Sequence, residues 1–309
     1  MNDLHRRPPA SDTIAEEHLL GQYIPLHYHY HMLQDQARVG AFRNAIAAVV
    51  RPGVKVLELG GGTGILSYFA AKRAAKVWCV ERNPALVDAA RRFLSMNSGG
   101  ERVEVVHADA RDYLPPEPVD VVICEMLHVG LLREKQIAVL SAWKDRYQRV
   151  FGSLPRFIPE ASLLAVQPVQ QSFSFTGYYA PVPLFRAALS ETDGCEGLGP
   201  AATYATIDYR EPLPARVKWE GILTIQRAGW FNAVRLATKN LLAILVRRQR
   251  TIDWLNQFLV LPLGTTMTVL PGQAVRITLD YEPGAPLEAI SKSMTVQRCR
   301  NQRSQRQAA

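Results

Sequence analysis

The sequence lacks any long apolar run. The longest obvious one, residues 241–246, falls far short of the roughly 18 residues a membrane-crossing helix needs. The opening stretch MNDLHRRPPASDTIAEEH has no apolar signal core, so a cytoplasmic location and no membrane partner are the expectations. Cysteine is scarce. Cys79, Cys124, Cys195 and Cys299 stand apart without CxxC spacing, which argues against a cysteine-based metal or redox motif. Cys79 and Cys124 fall in strand-like runs and read as reduced structural thiols. Acidic residues are missing from the end RCRNQRSQRQAA, where Arg298, Arg300, Arg303 and Arg306 read as a solvated, disordered tail. Nucleic acid or an acidic partner is the lesser reading of that tail and of the net charge of +8.

What is present is an ordinary globular composition, 48% hydrophobic and 21% charged. At 309 residues the chain is long enough for two domains. Its organising stretch is KVLELGGGTGILSYFAAKRAAKVWCVE, residues 55–81. This reads as a buried strand, a glycine turn (Gly60, Gly61, Gly62, Gly64), a helix from about Ile65, and a second strand ending on Glu81. Bare glycines let the backbone approach a ligand where a Cβ would collide. Glu81, about 20 residues downstream, is placed to accept from ribose hydroxyls. The third glycine of the dinucleotide fingerprint is absent, because position 65 is Ile65. That spacing, with Glu58 before it, favours S-adenosylmethionine (SAM) over a dinucleotide.

Residues 1–19 look disordered, and a helical periodicity runs from about His31 to Pro52. His27, His29 and His31 alternate rather than taking the i, i+4 spacing of a helical zinc pair, and no metal is expected. Arg38, early in that helix, is suitably placed to meet a ligand carboxylate. After strand three, residues 103–106, comes Asp109, which can accept from an adenine amine. Strand four, residues 119–124, delivers Glu125 to the ligand crevice, and Glu134 follows across an apolar loop. Two readings stand: unrelated strand-end and helix-start acids, or a carboxylate pair gripping one cation. A SAM-binding Rossmann-like domain over 20–158 and a β-rich, barrel-like domain over 159–290 are expected, followed by the tail from 291. Residues 233–246 could be helix or strand.

These residues resemble the protein arginine methyltransferases. HMLQDQARVGAFRNAI is similar to that family's N-terminal helix, LELGGGTGILSYFAAKRAAKVWCVE to its SAM loop and ribose acid, and LPPEPVDVVICEMLHVGLLRE to its double-glutamate loop. The resemblance implies a class I SAM-dependent methyltransferase fold with a β-barrel, and a homodimer using an arm near residues 176–199. It implies that Arg38 binds the SAM carboxylate, Glu81 the ribose, and Glu125 and Glu134 the substrate guanidinium. Tyr23 and His29 fall on positions the family uses around the donor and active site, beside Glu58, Gly60, Gly62 and Gly64, while the family's acid near adenine falls on Ala110, leaving Asp109 as the nearby substitute. The family's Thr-His-Trp loop falls on Ile252-Asp253-Trp254, making Asp253 a candidate proton acceptor. After Glu125, Met126-Leu127-His128-Val129 replaces the family's Trp-Met-Gly-Tyr. The expected acceptor is thus an arginine-containing protein or peptide. The alternatives are a small guanidino or amine metabolite, a non-catalytic SAM-binding scaffold, and a nucleic-acid methyltransferase. The last lacks the Asn/Asp-Pro-Pro-aromatic motif, since CEML stands there.

Overall fold

A computed structural model of the chain describes residues 24–188 and 194–299. The expected disordered segment 1–19, Tyr23 and most of the arginine-rich tail lie outside these residues. Helix α1 (Leu26–Gln34) begins before His31, and the helical path is interrupted at Asp35. The Asp35 carboxylate accepts from the Arg38 backbone N–H at 2.9 Å, capping α2 (Gln36–Val49) and fixing Arg38 in its first turn. One face of α2, with Phe42, Ala45, Ile46 and Val49, is buried at helical spacing.

Strands β1 (Lys55–Leu59), β2 (Lys76–Glu81), β3 (Val103–His107), β4 (Val121–Cys124) and β5 (Arg156–Ile158) form a parallel sheet in the order β3-β2-β1-β4-β5. Helices α3 (Ile65–Ala71), α4 (Pro84–Ser95) and α5 (Gln136–Phe151) connect them. With helices on both faces, β1, β2 and β4 are almost continuously buried, which explains their unbroken apolar runs. The order reverses between β1 and β4, and the crevice beyond their carboxyl ends is where such sheets bind ligands.

Pairing turns antiparallel at β6 (Ala161–Gln171). With β9 (Leu184–Arg186), β10 (Cys195–Gly197), β11 (Ala202–Asp208), β13 (Gly229–Leu245), β14 (Arg250–Leu255) and β15 (Phe258–Val269) it builds a seven-stranded sheet. The strands β7 (Ser174–Phe175) and β8 (Tyr178–Tyr179) make a small hairpin; β12 (Val217–Thr224), β16 (Ala274–Tyr281) and β17 (Thr295–Arg298) make a third sheet. The curled seven-stranded sheet gives the C-terminal part a half-barrel form. Residues 233–246, ambiguous in sequence, lie in β13 except for the last. Val234, Leu236, Thr238, Asn240 and Leu242 are buried at period two, and ladders on both sides override the helix-compatible composition. The tail does not begin at 291. Helix α6 (Leu287–Ser293) continues into β17, whose Val296 packs on the core while its backbone pairs with β16.

Candidate active site

The glycine turn is left-handed three times, with φ of 76° at Gly60, 54° at Gly62 and 81° at Gly64, which side-chain-bearing residues rarely adopt. Gly60 and Gly61 donate to the Val80 carbonyl at 2.9 Å, tying the turn to the end of β2. Glu81, at that end, accepts from Gly62 N–H at 2.9 Å through Oε2 and from Arg82 and Asn83 N–H through Oε1. Beneath the turn, Glu58 is buried and accepts from the backbone N–H and hydroxyl of Ser67. Burial pushes its carboxyl up to about 8, against the hydrogen bonds from Ser67, so it carries a proton at neutral pH.

Helices α1 and α2 close over the turn. A Cβ on Gly62 would lie 2.9 Å from His29 Cε1, and one on Gly60 3.2 Å from the Met126 side chain. His29 is buried, its Nε2 has no hydrogen-bond partner, and desolvation followed by the Arg38 charge lowers its pKa, keeping it neutral. The Arg38 guanidinium ion-pairs with Glu125 and lies 6.0 Å from the centroid of the Trp254 ring. Glu125 leaves the end of β4, and Glu134 stands nine residues on. Desolvation raises both carboxyls. For Glu125 the Arg38 charge opposes the rise. Glu134 is pushed up to about 8, with the Glu125 charge adding to burial.

A cavity of about 390 Å³ runs under α1 and α2. His29, Arg38, Glu58, Gly60, Gly62, Glu81, Asp109, Glu125 and Glu134 all line it. Three sequence candidates are not among them. Gly64 caps α3 from behind, its missing Cβ leaving room for Leu94 of α4. Tyr23 lies outside the described residues. Asp253 is turned away: alternation along β14 buries Ile252 and Trp254 and sends the Asp253 carboxylate to Lys239 Nζ at 3.1 Å. Asp109 reaches the cavity, but its oxygens meet Arg111 at 2.8 Å and Arg82 at 3.3 Å, and these partners, Arg111 foremost, hold it down at about 2.

Sequence reasoning missed Met126, which faces the turn, and Gln136, which accepts from Met126 N–H at 3.0 Å and donates to the Cys124 carbonyl at 2.9 Å. Neither has a local signal: Met126 reaches a turn 66 positions before it, and Gln136 bonds backbone 10 and 12 positions before it. The residues fit a nucleoside with an amino-acid arm. The lining offers acids that can accept from hydroxyls and an amine (Glu81, Asp109), a guanidinium that can meet a carboxylate (Arg38) and bare glycine backbone.

The family described as Methyltransferase domain matches residues 56–147. The chain belongs to the class I SAM-dependent methyltransferases, as a divergent relative of the protein arginine methyltransferases. This methyltransferase is 30% identical over 270 residues to uncharacterized protein MJ1452 of Methanocaldococcus jannaschii, covering 86% of this chain and 96% of that one. It is 29% identical over 208 residues, 62% of its length, to the probable protein arginine N-methyltransferase 6.1 of Oryza sativa subsp. indica. It spans 54% of that rice protein, about half the length of such arginine methyltransferase relatives. The Trypanosoma brucei PRMT1 enzyme–prozyme complex with AdoHcy shares its fold, with a TM-score of 0.68 at 18% identity, over 89% of this chain and 99% of that one. SAM is the cofactor of this methyltransferase.

Proposed function

We propose that this methyltransferase transfers a methyl group to a guanidinium nitrogen gripped by Glu125 and Glu134, with arginine in a protein or peptide as the acceptor. The observation that carries this reading is the pair itself: two carboxyls in one cavity, close enough for the charge of one to raise the other. Two buried carboxyls that share one cation, Arg38 on Glu125, are costly, and a planar cation with paired N–H donors relieves that cost. SAM, when bound, supplies a methyl group already activated on a cationic sulfur. Arg38 takes the carboxylate of that cofactor, Glu81 its ribose, and Asp109 with the wall at Ala110 its base. The glycine turn admits the backbone beside it.

The protein's further task is placement. Holding an acceptor nitrogen at near-attack distance contributes roughly 7 to 11 kcal/mol in favourable systems. Glu134 is protonated in the empty site and ionised by an arriving guanidinium, so acceptor binding releases a proton. Helices α1 and α2 line the cavity through His29, Met32, Arg38 and Phe42. The acceptor guanidinium loses one proton on methylation, and Glu134 is the nearer proton acceptor, since Asp253 is turned to Lys239.

A second reading, a small guanidino or amine metabolite as acceptor, is favoured by Met126-Leu127-His128-Val129, which departs from the family's pattern beside the pocket. Labelled SAM offered with an arginine peptide, its lysine counterpart, a free guanidine and a small amine separates the two. Label in the arginine peptide alone is expected; label in the small molecules alone would move the assignment to a metabolite. A homodimer is part of the same proposal, with the exposed Phe175, Tyr178 and Tyr179 of the β7–β8 hairpin as its contact. The rest of the segment 176–199 departs from a simple arm: β9 pairs with β15 and β10 with β6.

A further inference from the structure

The loop between the two acids takes a backbone path that is unfavourable by itself. Gly130, Leu131 and Arg133 have φ of 67°, 55° and 60°, and only the first is glycine. Left-handed backbone at ordinary residues persists only where the surroundings over-determine it. Here the surroundings are the antiparallel half of the molecule. The hydroxyl of Thr238, on β13, accepts the Gly130 N–H at 2.7 Å. Tyr281, at the end of β16, donates its hydroxyl to the Gly130 carbonyl at 2.9 Å. Tyr204 backs it, hydroxyl to hydroxyl at 2.9 Å. Around this point Asn256 donates to the Leu127 carbonyl at 3.1 Å, Gly284 N–H to the Leu131 carbonyl at 2.7 Å, and Arg133 N–H to the Ala285 carbonyl at 2.8 Å.

Gly130 lies between Glu125 and Glu134 in the chain. Held at both its N–H and its C=O, it cannot turn either flanking peptide plane without orphaning a buried polar group, since Thr238 and Tyr281 are themselves buried. We propose that Thr238 and Tyr281 are positioning residues for methyl transfer: by locking Gly130 they set the separation and aim of Glu125 and Glu134. This rests on the acid-pair reading above, but the lock is a property of the protein without ligands and can be tested there.

The test compares the wild type with Thr238→Val, Tyr281→Phe and Thr238→Ser. Hydrogen exchange is followed over residues 126–134, S-adenosylhomocysteine affinity by calorimetry, and kcat and KM with SAM and a single-arginine peptide. In Thr238→Val and Tyr281→Phe, amide exchange at Gly130 and Arg133 is expected to rise by about fivefold or more, as for loss of one buried hydrogen bond. Cofactor-product affinity should stay within about twofold while kcat falls by about tenfold or more, the signature of lost alignment. Thr238→Ser, which keeps the hydroxyl, should restore both. Unchanged exchange in both variants overturns the proposal, as does faster exchange with unchanged kcat. Tyr281→Phe removes a single oxygen and keeps the test valid if Thr238→Val folds poorly. If the wild type does not methylate the peptide, the acid-pair reading fails there, and exchange alone decides the lock: faster exchange supports it and unchanged exchange removes it.

Discussion

Arg38 and Glu125, 87 positions apart in sequence, form an ion pair across the cavity. One is the proposed anchor for the cofactor's carboxylate and the other half of the proposed guanidinium clamp. A carboxylate arriving at Arg38 therefore loosens its hold on Glu125 and leaves that acid readier for a cation. Arg38→Met is expected to weaken SAM binding by about 30-fold or more, in the range for truncating one partner of a buried charge pair. Decarboxylated SAM should bind both proteins within about threefold, as it offers Arg38 no partner charge. Calorimetry on the two ligands checks this, and an equal loss for both would contradict the assignment of Arg38.

Gly62 meets His29 across the turn, and the contact gives a stability and binding test. Gly62→Ala places a side chain at φ 54° and within 2.9 Å of His29 Cε1. The strain and the clash together should lower Tm by about 2–4 °C for each 1 kcal/mol lost. SAM affinity should fall with it, because His29 must move into the cofactor's space. His29→Ala in the same background is expected to recover part of both losses, a non-additivity that marks direct contact. Fully additive losses would show that the two residues do not share the site.

On the proposed clamp, the raised carboxyl of Glu134 makes acceptor capture depend on pH. With its value up at about 8 in the empty site, the clamp is protonated below that pH and must release a proton to bind a guanidinium. The logarithm of kcat/KM for the acceptor should therefore rise with pH at a slope of roughly one, as for a single required deprotonation. It should level off at or below about pH 8, since bound SAM adds a positive charge that favours the carboxylate. Glu134→Gln should remove that limb along with most of the rate. A wild-type profile flat from pH 6 to 9 would argue that Glu134 is already ionised.

Glu58 carries a linkage of stability to pH. Its folded value near 8 lies above its ordinary value of 4.5, so the folded state binds the extra proton. The stability gained from that proton is full below about 4.5 and is lost as pH rises through about 8. Glu58→Gln keeps the size and hydrogen-bonding capacity without the titration. The Tm difference between variant and wild type should thus shift in the variant's favour from pH 5 to pH 8.5, as followed by calorimetry. A constant difference would show that Glu58 does not change protonation on folding.

That most of the proposed cofactor residues gather in one cavity was legible because their determinants are local. The glycines, Glu81 and the strand-end Glu125 sit where a strand, a turn and a helix follow one another. Arg38 was legible from its place in a helix, though not its pairing with Glu125, which depends on how α2 lies over the sheet. Asp253 was misplaced because alignment along the chain says nothing about which face of β14 a side chain takes. Residues 233–246 were ambiguous since Ala, Leu and Lys suit a helix, and only the ladders on either side impose period two. The hold of Thr238 and Tyr281 on Gly130 could not be read at all, for it joins residues 108 and 151 positions apart.

The most direct measurement is Glu125→Gln, with SAM affinity by calorimetry and methyl transfer to an arginine peptide by mass spectrometry. The clamp account expects affinity equal to the wild type or somewhat tighter, since Arg38 is freed, with turnover down by roughly two to three orders of magnitude. Turnover equal to the wild type at unchanged affinity would contradict it.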